Sequence, residues 1–520
     1  MSQQSKHQTG STLSDSSKTF DRPQREPVNL RTENSNNKPI GLLVIIPALY
    51  GLWLLTTSLT EVIPKLGIYN GKRILELYLI IVTLSAPLIS TQARQKLGGL
   101  LLAIPVWVRI ILMVFFGLGL SSALLTANPA YPLLDVAMLF LLMLTAFTVA
   151  STRQILGIHF DRVVLTCIAM MGLGILFQEL LGMLVFLSAD MQFNYRESLF
   201  HFFHPRLYNQ VQTWTIPILA LLPVAFGKSR RLGLLGIFLI GAQWYIILQS
   251  GARGTTISLI LAMLIIGLAL PSVRTFWLKV QVTGLILGIL FYVSTAFFLG
   301  SVQPDKTEYV AESVGRPLLH TTGRTDLWKH AIEDAIQNPL LGAGPMRYAC
   351  GANHYLAGSP HSFPLQIMGE WGIPAFVLLG ILFGWMVYSW IHAAKSLINV
   401  NTYNQTLVAC LSISCLAAII HVCVSGLLIA PSSQVTGILI TGWLLSSLFK
   451  DSDTKSSVSS RIKGAKALYM ALLGIMVSVS VCWFAISELG ELPYRTSYAQ
   501  DFGPSAPRFW HDGRFCEYSF

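Results

Sequence analysis

The chain has 520 residues, of which 53 % are hydrophobic and only 12 % charged, and its mean hydropathy is +0.58. A soluble domain carries about 25 % charged residues, so this composition excludes a cytosolic enzyme and a wholly disordered chain. The net charge of +11 does not indicate nucleic-acid binding, because the basic residues stand in short runs between apolar stretches and not in a basic patch with aromatic side chains. The sequence therefore predicts an all-α polytopic membrane protein.

Apolar stretches approaching or exceeding the roughly 20 residues that a membrane-spanning helix needs follow one another along the chain. Thirteen are predicted: 40–59, 74–91, 107–126, 131–150, 163–188, 213–227, 232–250, 255–271, 277–299, 373–394, 406–430, 433–449 and 467–488. Two of them are short, so the sequence leaves the number open between twelve and thirteen.

These spans divide the chain into five parts. A polar tail, 1–38, is predicted to be disordered, and the first span then acts as a signal anchor. Spans one to nine occupy 39–299, a long polar loop occupies 300–372, spans ten to thirteen occupy 373–488, and a polar tail follows at 489–520.

The Lys and Arg residues predict the orientation of the spans. With a cytoplasmic N-terminus, 22 of the 36 basic residues fall on inner segments and only six on the short outer loops. Cytoplasmic loops are enriched in Lys and Arg, so the 300–372 loop and the C-terminal tail are expected on the periplasmic face of a bacterial inner membrane.

The outer loop contains an arginine, Arg324, beside a predicted helix. Apolar residues from Leu327 to Ile336 recur at helical spacing, and Asn338-Pro339 ends the pattern. This amphipathic helix is expected to lie along the outer membrane surface with Trp328 at headgroup level. Arg324 stands one residue ahead of it, where it is either a solvated side chain or an anion-binding group.

His361 lies between Pro360 and Pro364 in the same loop. Proline favours the first turn of a helix, so a helix is predicted to start near Pro364 and to run through Gly372 into the tenth span. The positive end of that helix would favour a neutral imidazole, as a general base requires. An ordinary surface histidine is the alternative.

Two further clusters stand at the outer ends of spans. Arg253 is flanked by Gly251 and Gly254, which allow close backbone approach, although a lone arginine here also fits an interface anchor. The stretch entering the sixth span carries polar side chains that are expected to face a cavity or a partner helix. These are His201, His204, Arg206, Asn209, Gln210 and Gln212.

Neither cluster predicts a metal site or a bound cofactor. His201 and His204 are three residues apart, but no carboxylate or cysteine partner is near them in sequence. No DxD-like acidic pair occurs in an outer loop. Three arginines and a histidine on one membrane face instead favour a phosphate-bearing substrate, because arginine binds phosphate oxygens bidentately. Glu179 and His421, both inside predicted spans, are expected to be structural.

The order of short motifs resembles the O-antigen ligase and O-antigen polymerase superfamily, which is related to the O-linked oligosaccharyltransferases. The motifs are TGRTDLW, NPLLGAGPMRY and PHSFPLQIMGEWGIP, preceded by the arginine stretch Ser250–Gly254. Together they cover residues 250–372. The resemblance implies a C-type glycosyltransferase fold and metal-free transfer of a glycan from undecaprenyl diphosphate to an acceptor hydroxyl, with inversion at the anomeric carbon.

The resemblance also implies roles for single residues. Arg253 and Arg324 would hold the diphosphate, and His361 would accept the proton of the attacking hydroxyl or orient it. The remaining positions carried over would contact substrate: Arg206, Gln212, Trp328, Gln366 and Glu370. The thirteenth span and the outer tail are additional to the family's usual plan, and Ser362 replaces an asparagine that often follows the histidine.

The acceptor stays open at this stage. An O-antigen ligase would use lipid A-core in lipopolysaccharide biosynthesis, an O-linked oligosaccharyltransferase would use a periplasmic protein such as a pilin, and a polymerase would use a growing glycan. Donor-side motifs do not separate the three. A transporter of the lipid-linked glycan is disfavoured, because it would place charges at the bilayer midplane.

Of seven cysteines, only Cys350 and Cys516 fall outside the predicted spans, and both are expected on the periplasmic face, where disulfides persist. A bridge between them would tie the tail to the loop of His361. It requires Cα atoms within about 7 Å, which the sequence does not decide.

Overall fold

The structure is a computed structural model, and its described residues are 43–193, 198–199, 201–202, 204–227, 229–303, 323–350, 357–396, 402–449, 457–490 and 508–511. For residues 272–274, 350, 395–396, 402 and 457–460 only the backbone is described. The tail predicted to be disordered, the side chain of Cys350 and the whole of Cys516 lie outside this set.

The described part of the chain is entirely helical apart from its turns and loops. The first nine helices are α1 Ile45–Leu59, α2 Gly67–Ile89, α3 Thr91–Ala103, α4 Val106–Leu124, α5 Ala130–Leu156, α6 Ile158–Ser188, α7 Pro205–Leu219, α8 Leu222–Ala225 and α9 Arg230–Ser250. The next nine are α10 Arg253–Ala269, α11 Pro271–Val302, α12 Arg324–Gln337, α13 Arg347–Cys350, α14 Phe363–Trp371, α15 Ile373–Ser396, α16 Thr402–Val422, α17 Pro431–Leu448 and α18 Ser457–Glu488.

Eight of these helices are long and apolar enough to cross a membrane, and a ninth span is obtained if a bent pair is counted as one. The eight are α4, α5, α6, α9, α11, α15, α16 and α18. The bent pair consists of Pro64–Ile89 and Thr91–Ala103, which meet at 103°. The chain is therefore an all-α, multi-pass membrane protein, as the composition predicted.

A helix covers each of the thirteen predicted spans, but several end elsewhere than expected. Helices α1 and α10 have only 15 and 17 residues. Helix α7 ends at Leu219, within the sixth predicted span, and a turn separates it from α8. Helix α16 ends at Val422, so the predicted continuation to residue 430 is wrong.

The bend between α2 and α3 has a local cause. Pro87 lies inside the last turn of α2, and Ser90 adopts an extended conformation in which its side chain accepts a hydrogen bond from the Ala93 N–H at 3.2 Å. A serine at this position satisfies one of the unpaired N–H groups at the start of α3. The sequence did not predict α3, because its basic and polar residues interrupt the apolar pattern.

Glycines let several helices pack backbone to backbone. A Cβ added at Gly442 of α17 would lie 2.6 Å from the Ala146 carbonyl oxygen of α5, and one at Gly288 of α11 would lie 2.8 Å from the Gly241 carbonyl oxygen of α9. Small residues of this kind are typical of helix contacts in membranes, where packing replaces the hydrophobic effect.

The NPLLGAG motif forms a turn that caps the end of α14. The N–H groups of Ala343 and Gly344 donate to the carbonyl oxygens of Gly369 and Glu370, at 2.8 and 3.0 Å. Those carbonyls belong to the last turn of α14, where carbonyl groups have no hydrogen-bond partners within the helix itself. The turn needs glycine at 342, where φ is +68° and an added Cβ would lie 2.3 Å from the Glu370 carbonyl carbon.

Helix α14 does not continue into the tenth span, contrary to the prediction. Gly372 interrupts the helix with a φ of +91°, and an added Cβ there would lie 2.4 Å from the Leu340 carbonyl oxygen. The Ile373 N–H at the start of α15 then donates to the Pro339 carbonyl at 2.9 Å. The close passage of the capping turn, which sequence periodicity does not reveal, produces the break.

Candidate functional site

Four of the predicted site residues stand at or beside helix N-termini. Arg206 is the second residue of α7, Arg253 the first of α10 and Arg324 the first of α12, and His361 lies two residues before α14. The prediction that Arg324 precedes its helix is thus off by one residue. We call the end of the helix bundle that carries these four residues the site end. The first turn of a helix presents unpaired N–H groups and a positive dipole, both of which favour anions.

Arg324, Arg206 and His361 interact electrostatically. Burial, and then the charge of Arg206, lower the pKa of the Arg324 guanidinium. Within the described part of the chain Arg324 has no carboxylate partner. Because no described carboxylate compensates the charge of this half-buried arginine, an incoming anion would stabilise it.

His361 is held as a neutral imidazole. Burial, followed by the charges of Arg324 and Arg206, lowers the pKa of His361 to about 4. The charged groups that act on it in the described part of the chain, Arg324 and Arg206, are both cations, so neither stabilises an imidazolium. A neutral imidazole can accept a proton from a hydroxyl group, and this protonation state is the one that the sequence predicted.

The backbone at His361 is strained. Its φ is +51°, in the left-handed region that residues other than glycine rarely adopt. Its N–H lies 3.4 Å from the Ser359 Oγ, and Ser362 is extended at the N-cap of α14, with Pro364 in the first turn as predicted. Strained residues of this kind are concentrated at functional sites, where the surrounding structure holds them.

Arg253 follows a tight turn between α9 and α10. Gly251 ends α9 in the left-handed conformation, with φ +57°, and its N–H donates to the carbonyls of the last turn of α9. Gly254 faces α16, because a Cβ added there would lie 3.2 Å from the His421 Nε2. The two glycines that flank Arg253 therefore serve a helix cap and a close side-chain contact.

His421 belongs to the same cluster, although it was expected to be structural. It is close enough to Arg324 for their charges to interact, and its Nδ1 lies 2.8 Å from the Thr213 Oγ1. The Thr213 hydroxyl also donates to the Asn209 carbonyl at 3.0 Å. Because a hydroxyl has one proton, the consistent assignment makes Nδ1 the donor to Thr213 and leaves Nε2 facing Gly254. Because His421 is the only polar side chain of its kind in an apolar stretch, the sequence did not indicate that it belongs to this cluster.

Three other residues of the α7 entry, His204, Asn209 and Gln212, have structural partners. The His204 side chain caps α7, with Nδ1 accepting from the Arg206 N–H at 3.1 Å. Gln212 is fully buried, and its amide group donates to the Gln243 carbonyl and the Gln243 Oε1 at 2.9 and 3.0 Å. Its Oε1 accepts from the Asn209 Nδ2 at 2.8 Å. These contacts are those of a junction between α7 and α9, so they do not favour the direct substrate contact predicted for Gln212.

Glu370 is occupied by an ion pair. It accepts two hydrogen bonds from the Arg508 guanidinium, at 2.9 and 3.0 Å, and one from the Tyr348 N–H at 3.2 Å. The geometry thus gives Glu370 a protein partner where the sequence predicted a substrate contact. Arg508 lies in the C-terminal tail, in a stretch that no motif had singled out.

Gln366 and Trp328 remain available for binding. Gln366 is buried and lines a small, partly open cavity of about 50 Å³ together with Phe363 and Ile367 of the same helix. The Trp328 indole N–H is buried and finds no acceptor among the described residues. Six other tryptophans of the described residues have the same unpaired indole N–H, so this feature does not by itself distinguish Trp328.

The described residues contain no group of three His, Cys, Asp or Glu side chains placed to hold a metal ion. The site end carries guanidinium groups and helix N-termini, both of which bind anions. Beside them lies the neutral imidazole of His361, which can accept a proton.

A search among curated proteins finds no match to this chain. Residues 218–380 match the family model described as O-antigen ligase. The match includes Arg253, Arg324 and His361, together with Trp328, Gln366 and Glu370, whereas Arg206, Gln212 and His421 lie outside it. The resemblance drawn from the motifs is thereby confirmed: residues 218–380 of this chain are similar to the O-antigen ligase family, whose members are glycosyltransferase-like enzymes.

Proposed function

We propose that this protein transfers a glycan from undecaprenyl diphosphate to an acceptor hydroxyl on the periplasmic face of the inner membrane, as an O-antigen ligase acting on lipid A-core. The observation that carries the proposal is the half-buried Arg324, which has no carboxylate partner in the described residues and lies beside a neutral His361. The family match supports glycan transfer as the reaction class.

In this proposal the arginines hold the leaving group. Arg253 and Arg324, with Arg206 beside them, bind the diphosphate oxygens and stabilise the negative charge that develops when the bond from the anomeric carbon to the diphosphate breaks. Each charge-assisted hydrogen bond contributes about 1.5–3 kcal/mol, so two or three would supply what a divalent cation supplies elsewhere.

His361 takes the proton of the acceptor. The acceptor oxygen attacks the anomeric carbon from the face opposite the diphosphate, so the configuration inverts, and the hydroxyl proton passes to the imidazole. A base with a pKa near 4 is weak at neutral pH. Binding of the diphosphate compensates Arg324 and Arg206, which raises the basicity of His361 when the donor is in place.

Lipid A-core is the proposed acceptor because the matched family is that of the O-antigen ligases. Deletion of the gene in its own host tests this choice. Loss of the O-antigen ladder from lipopolysaccharide, with the pilin mass unchanged, is the expected result. An intact ladder with a lighter pilin would replace the proposed acceptor by a protein, and shortened O-antigen chains still attached to core would indicate a polymerase.

The chemistry is tested with purified protein, the undecaprenyl-diphosphate-linked glycan and lipid A-core. We expect transfer to continue in EDTA, because arginines hold the diphosphate in the proposed site. Loss of transfer in the chelator that magnesium or manganese restores would contradict the metal-free mechanism. Arg153→Gln, which alters an ion pair far from the site, serves as the control for folded protein.

A further inference from the structure

A short piece of the C-terminal tail is buried in the site end of the bundle. Residues 508–511 have the sequence Arg-Phe-Trp-His, and the side chains of Arg508, Phe509 and Trp510 are 2 %, 5 % and 1 % exposed. Burying an arginine so completely is costly unless every part of its guanidinium is paired. The partners of Arg508 therefore indicate what the segment is for.

Arg508 binds both sequence flanks of His361. Its Nη1 donates to the Gly358 carbonyl at 3.0 Å, three residues before the histidine, and to the Glu370 Oε1 at 2.9 Å, nine residues after it. Its Nη2 donates to the Glu370 Oε2 at 3.0 Å and to the Asp135 Oδ2 at 3.2 Å. Asp135 belongs to α5, so one guanidinium joins the strained turn, the helix that follows it and the bundle.

The tail segment is in turn fixed by α2. The Arg73 Nε donates to the Phe509 carbonyl at 2.9 Å, and the Tyr69 hydroxyl donates to the Arg508 carbonyl at 2.7 Å. The His511 N–H donates to the Asn70 Oδ1 at 2.8 Å. Arg73 is one of the six basic residues that the orientation count places on short outer loops, but in the structure it is buried within α2, where Glu76 pairs with it at 2.5 Å. These bonds make the segment a fixed part of the bundle and a rigid support for Arg508.

The same segment lines a cavity next to α14, the helix that follows His361. The cavity of about 50 Å³ that Phe363 and Gln366 line is also lined by Arg508 and Phe509. The geometry of the helix after the histidine and the shape of the adjoining cavity thus both depend on residues 508–511.

We propose that Arg508 is a positioning residue for glycan transfer: by binding Gly358 and Glu370 together, it holds His361 in its strained conformation beside Arg324. This proposal rests on the proposed function for its catalytic readout. Arg508 does not itself contact the reacting atoms. It acts through Glu370 and the backbone, so its loss displaces the base without removing any diphosphate ligand.

The test combines Arg508→Gln, Glu370→Gln and the double variant. We expect Arg508→Gln to lower kcat by about 10²-fold, as a displacement of about 1 Å in a reacting group does, while the Kd for the lipid-linked donor stays unchanged. The double variant should lose no more than the more impaired single variant, because the two residues act as one unit. Hydrogen exchange should rise in residues 357–371.

Arg153→Gln is the matched control. Arg153 forms a bidentate pair with Asp161, at 3.1 and 3.0 Å, and it lies eighteen residues, or about 27 Å of helix, from Asp135 along the same α5. It should lower the melting temperature to a similar degree without changing kcat. An Arg508→Gln enzyme with wild-type kcat, or an Arg153→Gln enzyme that loses as much, would overturn the positioning role.

The two proposals fail in different ways. If the protein does not transfer glycans, the wild type and Arg153→Gln are both inactive, whereas hydrogen exchange of residues 357–371 still reports on Arg508. Unchanged exchange in Arg508→Gln, together with wild-type reactivity of His361 towards diethyl pyrocarbonate, would remove the positioning role even in an active enzyme.

Discussion

His361 combines a strained backbone with an unusually low side-chain pKa. A left-handed conformation costs a residue other than glycine about 1–3 kcal/mol, and burial next to Arg324 and Arg206 disfavours its charged form. The strained backbone fixes the position of the imidazole, and the low pKa keeps it uncharged. A histidine kept only for packing would need neither feature.

The strain and the chemistry can be separated by two substitutions at this position. His361→Ala and His361→Gly should both abolish transfer and retain donor binding, because both lack the imidazole. Glycine adopts φ +51° without strain, so His361→Gly should be more stable than His361→Ala by about 1 kcal/mol. Thermal unfolding in detergent and donor titration provide the measurements. Equal melting temperatures would mean that the turn relaxes in solution, and turnover by either purified variant would end the assignment of the base.

The pH dependence of the reaction should identify the neighbour that acts on His361. Since kcat/KM reports ionisation of the free enzyme, its acid limb is expected near pH 4 in the wild type. Arg324→Gln removes a cation and should move this limb to higher pH. Arg324→Lys keeps the charge and should leave the limb in place, although both variants lose most activity with the bidentate fork. A limb that stays in place in both variants would show that burial alone sets the pKa.

The same pKa has a consequence for stability, and its sign can be worked out. His361 binds protons more weakly in the folded protein than in the unfolded chain, where its pKa is about 6.5. Between pH 6.5 and pH 4 the unfolded chain therefore carries more protons. The contribution of His361 to stability is complete above pH 6.5 and is lost as the pH falls towards 4.

The order of short motifs along the chain, through its resemblance to a known family, was enough to predict Arg253, Arg324 and His361 as site residues, whereas residue type alone left a structural role open for each. The motifs were not enough for His421 or Arg508. His421 stands alone in an apolar helix, and Arg508 is 138 residues from Glu370, its principal partner. The proximity of His421 and Arg508 to the other candidate site residues arises only when the chain folds, so the sequence alone does not show it.

At the scale of elements, glycines decide where the site helices end. Helix α14 stops at Trp371 because the turn of Gly342, Ala343 and Gly344 takes up its last carbonyls and leaves no room for a side chain. Proline at the helix start was a sufficient local signal, so the beginning of α14 was predicted to within one residue. The end depends on a segment thirty residues earlier in the chain, and periodicity carries no information about it.

Alanine substitutions test this capping turn. Gly342→Ala should destabilise the protein by about 1–3 kcal/mol and lower kcat, because the new Cβ meets the Glu370 backbone and φ is +68°. Gly380→Ala in α15 is the matched control: an added Cβ there has no neighbour within 4 Å, so it should be neutral or stabilise the helix by about 0.5–1 kcal/mol. Unfolding midpoints and turnover of the two variants should differ in these directions, and equal values would mean that the turn does not cap α14.

At the scale of the molecule, hydropathy predicted thirteen spans and the structure has a helix in each of these places, but hydropathy did not predict which of the helices are both long and apolar enough to cross a membrane. Helix α17 shows the reason. It is buried along most of its length and carries Ser432, Ser433, Gln434 and Thr436, so its composition reflects protein contacts and not lipid. A central helix of such a bundle contacts protein on all sides and can therefore contain more polar residues than an outer helix that faces lipid.

The orientation of the bundle is the remaining prediction from the basic residues, and two positions can test it. Cys423 is exposed and follows the end of α16, two residues beyond His421 at the site end. Arg461 is exposed near the start of α18, whose other end lies at Tyr131 and α5, because the Tyr131 hydroxyl donates to Glu488 at 2.5 Å. The two positions therefore lie at opposite ends of the bundle.

A membrane-impermeant maleimide should label these ends from opposite sides. In a chain whose only cysteine is Cys423, labelling of spheroplasts is expected without lysis, whereas a chain with Arg461→Cys as its only cysteine should label only after lysis. Burial raises the pKa of the Cys423 thiol, so the reaction is run at about pH 8 to supply thiolate. Transfer activity of both chains confirms that they are folded. The opposite labelling pattern would place Arg324 and His361 on the cytoplasmic face, and the proposed acceptor would then have to be a cytoplasmic one.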